Sequence, residues 1–428
     1  MKDRRLWLLL AAALAVRLVL MPLPDPYDAD LSTFWRPWMA FAAQNGLAQL
    51  YLRGEPAVNY PPFYLALLAG LGALYRLVSS DFAYTPLQSI LIKLPTVVAD
   101  LGVTVLIYYA ARLTVAEGRK ETLPLAAAAL WAFNPAIIYV SAYWGQVDSI
   151  HTFWLLAALL AALGRRWGWS GVFMALSLLT KLQAIVLLPL LLFLAWRWRG
   201  LVRLGLGGAA TLAVGLLPFA ATGALRSVLS VYGGSVGYYP RLTVGAYNLW
   251  WSADYVGRKL LGRPPTNDLR LFGPVTIQWL SLGLFAAYVA LVLWALARSK
   301  RPDRSDEETA FAVFFAAGML FFGFFMLPTE IHERYILPAL AFLAPVAWRS
   351  RGLLIAYLVL SGTVLLNVLE VLPFAPWLLR LFRTVKSETL LASLANIGLF
   401  GWLTYRYLRV TARNPIQPRL TKPRTQRE

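Results

Sequence analysis

The sequence predicts an all-α polytopic membrane protein. Hydrophobic residues make up 59% of the 428 positions and charged residues only 14%, whereas a soluble domain carries about a quarter. Apolar runs of about 17–25 residues, the length that crosses a hydrocarbon core as helix, recur along the chain. Lys and Arg gather in short loops between alternate runs. In lipid the backbone must satisfy its own hydrogen bonds, so a helical bundle is expected. The chain has no cysteine, which excludes disulfide and thiolate chemistry.

The N-terminus, "MKDRRLWLLLAAALAVRLVLMP", begins basic and runs apolar with no small-residue cleavage site behind it, so a retained first span is expected. Twelve spans are expected, at about 6–23, 88–111, 123–140, 150–164, 169–182, 184–196, 201–221, 274–297, 309–327, 335–348, 352–372 and 389–408. They put "MKDRR", "EGRK", "GRRW", "WRWRG", "RSKRPDR", "WRSR" and the tail on one face, which the positive-inside rule makes cytoplasmic. The net charge of +19 is then topological, and no nucleic-acid partner is expected. The basic tail, 409–428, can meet anionic membrane lipid.

The apolar segment "YPPFYLALLAGLGALY" at 60–75 is left over. Counting it as a crossing would throw "EGRK", "GRRW" and "WRWRG" outside, so it is expected to lie in the outer interface or to dip in and return. In 31–51, Phe34, Trp35, Trp38 and Phe41 recur at near-helical spacing, as in an amphipathic helix lying on the membrane surface. The resulting layout has a transmembrane module at 1–221, whose outer loop 24–87 carries two juxtamembrane helices. A large outer loop at 222–273, C-terminal spans at 274–408 and a cytoplasmic tail follow. Both termini are expected on the cytoplasmic side of the cell membrane.

This topology gathers polar groups on the outer side. The first loop holds "PDPYDADLSTFW" and "VNYPP", the second "YWGQVDSIH", a short turn "TKLQ", and the large loop "YYPRLTVGAYNLWWSADY". "EIHER" occupies the next outer turn and packs Glu330, His332, Glu333 and Arg334 between two apolar runs. Both histidines of the chain, His151 and His332, fall on this side. Ionisable groups at membrane depth are costly and face a cavity or one another, and one outer-face cavity accounts for all of them. Each has a plainer reading: Asp25, Asp28 and Asp30 as helix caps, and His332 with Glu333 as a mutually satisfied pair. Lys93 and Asp100 share a helix face and can pair with other helices.

The order "D…F…W", "NYPP", "WGQVDS", "AYNLW", "HERY" resembles bacterial integral-membrane mannosyltransferases of the GT-C superfamily, relatives of the enzyme that adds the second mannose in GPI-anchor assembly. More distantly, "NYPPFYLAL" and "IHERYIL" look like the "DYPPLTA" and "HEKSIL" motifs of dolichyl-phosphate-glucose glucosyltransferases. The resemblance covers about 25–340, and the later spans match by hydropathy only. Asn59 stands where the eukaryotic relatives carry Asp, and the spacing from the first-loop acid to the Trp is shifted by one residue.

The resemblance implies the GT-C fold and an inverting transfer from a polyprenyl-phosphate sugar, mannose by default, to a glycolipid, glycan or protein acceptor. No cofactor is implied. An acid of the first outer loop is the base: Asp30 by its distance from Trp38, with Asp28 second. His332 and Arg334 would hold the leaving lipid phosphate, helped by Arg241 and Lys181, with Glu333 orienting the His or Arg. Gln146, Asp148 and Asn248 would bind sugar or acceptor hydroxyls, and Tyr60 and Trp144 would stack on a sugar face. Two other classes stay open. A transporter or flippase would bury charges around a midplane cavity, though no repeat relates the halves. A metal-dependent transferase would use Asp28, Asp30, Asp148, His151 or Glu333 as ligands, without compact spacing to support it.

Overall fold

The computed structural model describes residues 3–25, 29–54, 56–119, 121–299, 304–384 and 386–412. It is 76% helical, so most backbone polar groups are satisfied within their own segments, as a lipid environment requires. Five helices are long and apolar enough to cross a membrane: Pro86–Thr114, Trp198–Ala221, Ile277–Arg298, Asp306–Met326 and Arg351–Val371. A sixth span arises if Leu123–Ala132 and Pro135–Trp144, bent by 45° at Asn134, are taken together. Pro135 explains that break, since it lacks an N–H and clashes with the preceding turn. This is a multi-pass membrane protein. Shorter apolar helices, Pro62–Tyr75, Asp148–Leu163, Trp167–Thr180, Leu182–Leu194 and Leu337–Ala347, complete the bundle. At 14 residues Pro62–Tyr75 is about 21 Å long, against a hydrocarbon core of about 30 Å.

The Asp306–Met326 helix is the axis of the fold. It is apolar all round after its acidic first turn, and 89% of its spanning window is buried, as expected of a helix enclosed by others. Trp198–Ala221 is peripheral and packs on Trp167–Thr180 through glycines. A Cβ on Gly171 would lie 2.0 Å from the Leu204 carbonyl oxygen, and one on Gly207 would lie 2.1 Å from that of Gly168. Only glycine permits such an approach, the small-residue packing common between membrane helices.

Two sequence expectations change here. The aromatic stripe of 31–51 is covered largely by protein: Trp35 and Trp38 are fully buried, and Trp35 meets Trp38, Tyr60 and Tyr64 edge-on. The Arg36–Asn45 helix turns that face onto Pro62–Tyr75, so the protein rather than lipid covers it. The 222–273 region is more than a loop. It contains helices Leu225–Gly233 and Leu249–Leu261, and its end forms a short hairpin, Arg270–Phe272 with Val275–Thr276.

The buried charges Arg17, Asp100 and Lys93 each have polar partners. Arg17 Nε donates to Asp100 at 2.8 Å with both side chains fully buried. Asp100 also accepts from Trp131 Nε1 at 2.5 Å and Ser141 Oγ at 2.8 Å. Arg17 Nη1 donates to the Ala132 carbonyl, at the bend. Lys93 turns elsewhere and donates to the Leu23 carbonyl at 2.7 Å. These groups hold helices together and stay clear of the outer cavity.

Candidate active site

Five of the segments expected on the outer side converge on one cavity of about 460 Å³. Its lining includes Asp30, Asn59, Tyr60, Trp144, Lys181, Gln183, Tyr239, His332, Glu333 and Arg334. Each arrives by a local device. Asp25 accepts from the Leu31 and Ser32 amides and from Ser32 Oγ at 2.6 Å. That caps the turn and sets Asp30 at the entry of the Leu31–Trp35 segment. After the wide turn Tyr139–Trp144 the chain reverses at Gly145, φ 78°, where a side chain would be strained. That reversal sends Trp144 and Gln146 to the same carboxylate.

Asp30 Oδ2 accepts from Trp144 Nε1 at 3.0 Å and from Gln146 Nε2. Both bonds fall on one oxygen, and among the described residues no cation pairs directly with Asp30. The cations are held separately. Asp148, in the first turn of its helix, binds Lys181 Nζ at 2.7 Å. Lys181 caps the C-terminus of Trp167–Thr180, so each charge suits the helix end it sits on. Arg334 Nη1 donates to Glu333 Oε1 at 2.6 Å. Its guanidinium lies 5.0 Å over the Trp144 ring, and Lys181 Nζ lies 4.6 Å over Tyr335. Arg334 Nε and Asp148 Oδ2 stand 3.5 Å apart, too poorly aligned to bond, and neither has another protein partner. Gln146 Oε1, Gln183 Oε1 and Glu333 Oε2 also lack one. Buried polar atoms are rarely left so, and three of these five belong to lining residues, Arg334, Gln183 and Glu333, which suits a cavity that takes polar ligand groups.

The "HER" turn is charge-tuned. Burial alone would raise the Glu333 carboxyl, but Arg334 and His332 pull it down to about 2, so it is ionised. Burial lowers His332, and the Arg334 and Lys181 charges add to that against the pull of Glu333. His332 Nδ1 lies 3.8 Å from Glu333 Oε2, with the ring between Tyr239 and Tyr335. The imidazole is therefore a neutral donor at neutral pH.

A family model for glycosyltransferase family 87 matches residues 58–328, more than half of the chain. The chain belongs to that family. It is a family of the GT-C type, so this is a membrane glycosyltransferase, and the transporter alternative is set aside. No curated protein matches the chain. The matched stretch starts after Asp30 and stops short of "EIHER".

The glycosyltransferase brings Asp30, Tyr60, Trp144, Lys181, His332, Glu333 and Arg334 to the cavity. Four other expected contacts fall elsewhere. Gln146 and Asp148 are fully buried behind the lining, hydrogen-bonded to Asp30 and Lys181. Asn248 is fully buried: it caps Leu249–Leu261 and donates to the Phe325 carbonyl at 3.0 Å. Arg241 is exposed and outside the lining. Asp28 lies outside the described residues. Among the described residues, His151 and the carboxylates form no cluster of three that could hold a metal. Sequence reasoning gave no role to Gln183, Tyr239 or Tyr335. Each sits within a few positions of a residue singled out for its charge, which was the available signal.

Proposed function

We propose that this glycosyltransferase moves a monosaccharide, mannose first, from a polyprenyl-phosphate lipid to a glycolipid, glycan or protein acceptor. The transfer inverts the anomeric centre at the extracytoplasmic face of the cell membrane. Asp30 takes the proton of the acceptor hydroxyl as its oxygen attacks the anomeric carbon. The bond from that carbon to the lipid phosphate breaks, and its electron pair stays on the phosphate. Arg334, Lys181 and the neutral N–H of His332 receive the developing charge, and preorganised donors of this kind in a dry site are usually the largest catalytic contribution. Arg334 offers the fork of N–H groups that suits phosphate oxygens. Tyr60 and Trp144 supply aromatic surface for the sugar.

One observation carries this reading. Asp30 is the lining carboxylate with only neutral donors, while the cations of the same cavity already have Asp148 and Glu333 to hold them in place. A base must be free to take a proton, and a phosphate clamp must stay charged and fixed. The test is a donor panel on purified enzyme: radiolabelled polyprenyl-phosphate mannose, glucose, galactose and arabinose against the matching nucleotide sugars. Transfer from at least one lipid-linked sugar and from no nucleotide sugar is expected. Transfer from nucleotide sugars alone would overturn the donor assignment.

A further inference from the structure

Glu330 takes no part in the chemistry above, yet it is the residue of "EIHER" with the most unusual backbone. Its φ is 64°, in the left-handed region that residues with a Cβ enter rarely and that persists only where surrounding contacts impose it. The contacts are its own carboxylate's. Oε1 accepts from Asn267 Nδ2 at 2.5 Å and Gln278 Nε2 at 2.8 Å, and Oε2 accepts from the Tyr239 amide at 3.2 Å. Backbone bonds run alongside: the Glu330 amide donates to the Leu242 carbonyl at 3.3 Å, and the Val244 amide donates to the Ile331 carbonyl at 3.0 Å.

These bonds grip the outer segment at both ends. Tyr239 and Leu242 stand at one end, and Asn267 and Gln278 bracket the hairpin at the other. Tyr239 in turn meets the His332 ring edge-on at 5.2 Å, and Ser235, Tyr238, Tyr239 and Val244 form cavity wall. A surface carboxylate needs no such set of donors; here three converge on one side chain from two distant stretches of chain.

We propose that Glu330 is a positioning residue for sugar transfer: its carboxylate pins the outer segment 237–278, so that Tyr239 buttresses His332 and the 235–244 wall closes the cavity. This role rests on the cavity being the transfer site. The carboxylate, not mere bulk, is required, because a Gln side chain has one acceptor oxygen and turns an NH₂ toward the other donors.

The cysteine-free chain makes the test direct. Leu242→Cys places a single thiol on a buried site, packed with Trp250 and Ile277. Adding Glu330→Gln should raise its labelling rate by a membrane-impermeant maleimide about tenfold, what losing one charge-assisted hydrogen bond is worth. Asn267→Ala and Gln278→Ala, each removing one of the three bonds, should give intermediate rates. In the chain without the reporter, Glu330→Gln should raise KM for polyprenyl-phosphate mannose and lower kcat, and Glu330→Asp should restore part of both. Unchanged labelling in Glu330→Gln overturns the latch. Raised labelling with unchanged kinetics overturns the positioning role. If Glu330→Gln fails to fold, the Asn267→Ala and Gln278→Ala rates and kinetics decide the same question. Transfer surviving Asp30→Asn would count against the cavity as the transfer site, and the labelling comparison would still decide the latch.

Discussion

Asp25 and Asp30 belong to one acidic stretch and do different work. Asp25 is consumed by two backbone amides and a serine hydroxyl, the arrangement of a helix cap. Asp30 meets an indole and an amide, both on Oδ2, which leaves Oδ1 out of these bonds and suits the proposed base. His332 is the residue whose chemistry departs most from its type. Its ordinary value is 6.5, and burial together with Arg334 and Lys181 lowers it. Protonation is thereby moved to lower pH than in an ordinary histidine, so between pH 7 and 8 the ring is mostly uncharged and, in the proposed clamp, its state changes little. The kcat/KM profiles of wild type and His332→Gln should therefore run parallel across that window, with the variant lower throughout. A wild-type decline as pH rises through it, absent from His332→Gln, would mean that an imidazolium does the work.

At the scale of the elements, the buried Arg17–Asp100 pair ties helix Arg4–Leu20 to Pro86–Thr114 and to the bend at Asn134. Asp100→Asn leaves a buried guanidinium without its counter-charge, a loss of about 3–5 kcal/mol in such settings. Its melting temperature in detergent should fall clearly. The double substitution Arg17→Met with Asp100→Leu should recover much of the loss, because an apolar replacement of both partners removes the desolvation cost. An Asp100→Asn enzyme of normal stability and no transfer would instead place Asp100 in the reaction. Sequence pattern could show that Lys93 and Asp100 share a face, and that burial would demand partners. It could not show that Asp100 pairs with Arg17 and Lys93 with a loop carbonyl, because both depend on helix rotation and on the Asn134 bend. Trp35 and Trp38 teach the same limit: amphipathic spacing marks a face that must be covered, not whether lipid or Pro62–Tyr75 covers it.

For the whole molecule, the gathering of polar loops on one face was legible from charge placement alone, and the structure brings five of them to one cavity. The depth of each residue was not. Gln146 and Asp148 sit in the same quoted motif as Trp144, yet the Gly145 reversal leaves Trp144 in the lining and buries the other two behind it. The strained turn at Glu330 was equally invisible, since its cause lies in Asn267 and Gln278, far away in the chain. The central claim is that this cavity holds a lipid-phosphate sugar between a free carboxylate and two fixed cations. It is tested most directly by Asp30→Asn, which keeps the size and polarity of the side chain and removes its proton affinity. Donor binding and single-turnover transfer would both be measured on the purified enzyme with polyprenyl-phosphate mannose. Binding is expected to remain within a few-fold of wild type while transfer falls by about 10²–10⁴, the contribution of a general base. Transfer at the wild-type rate with binding intact would contradict the account.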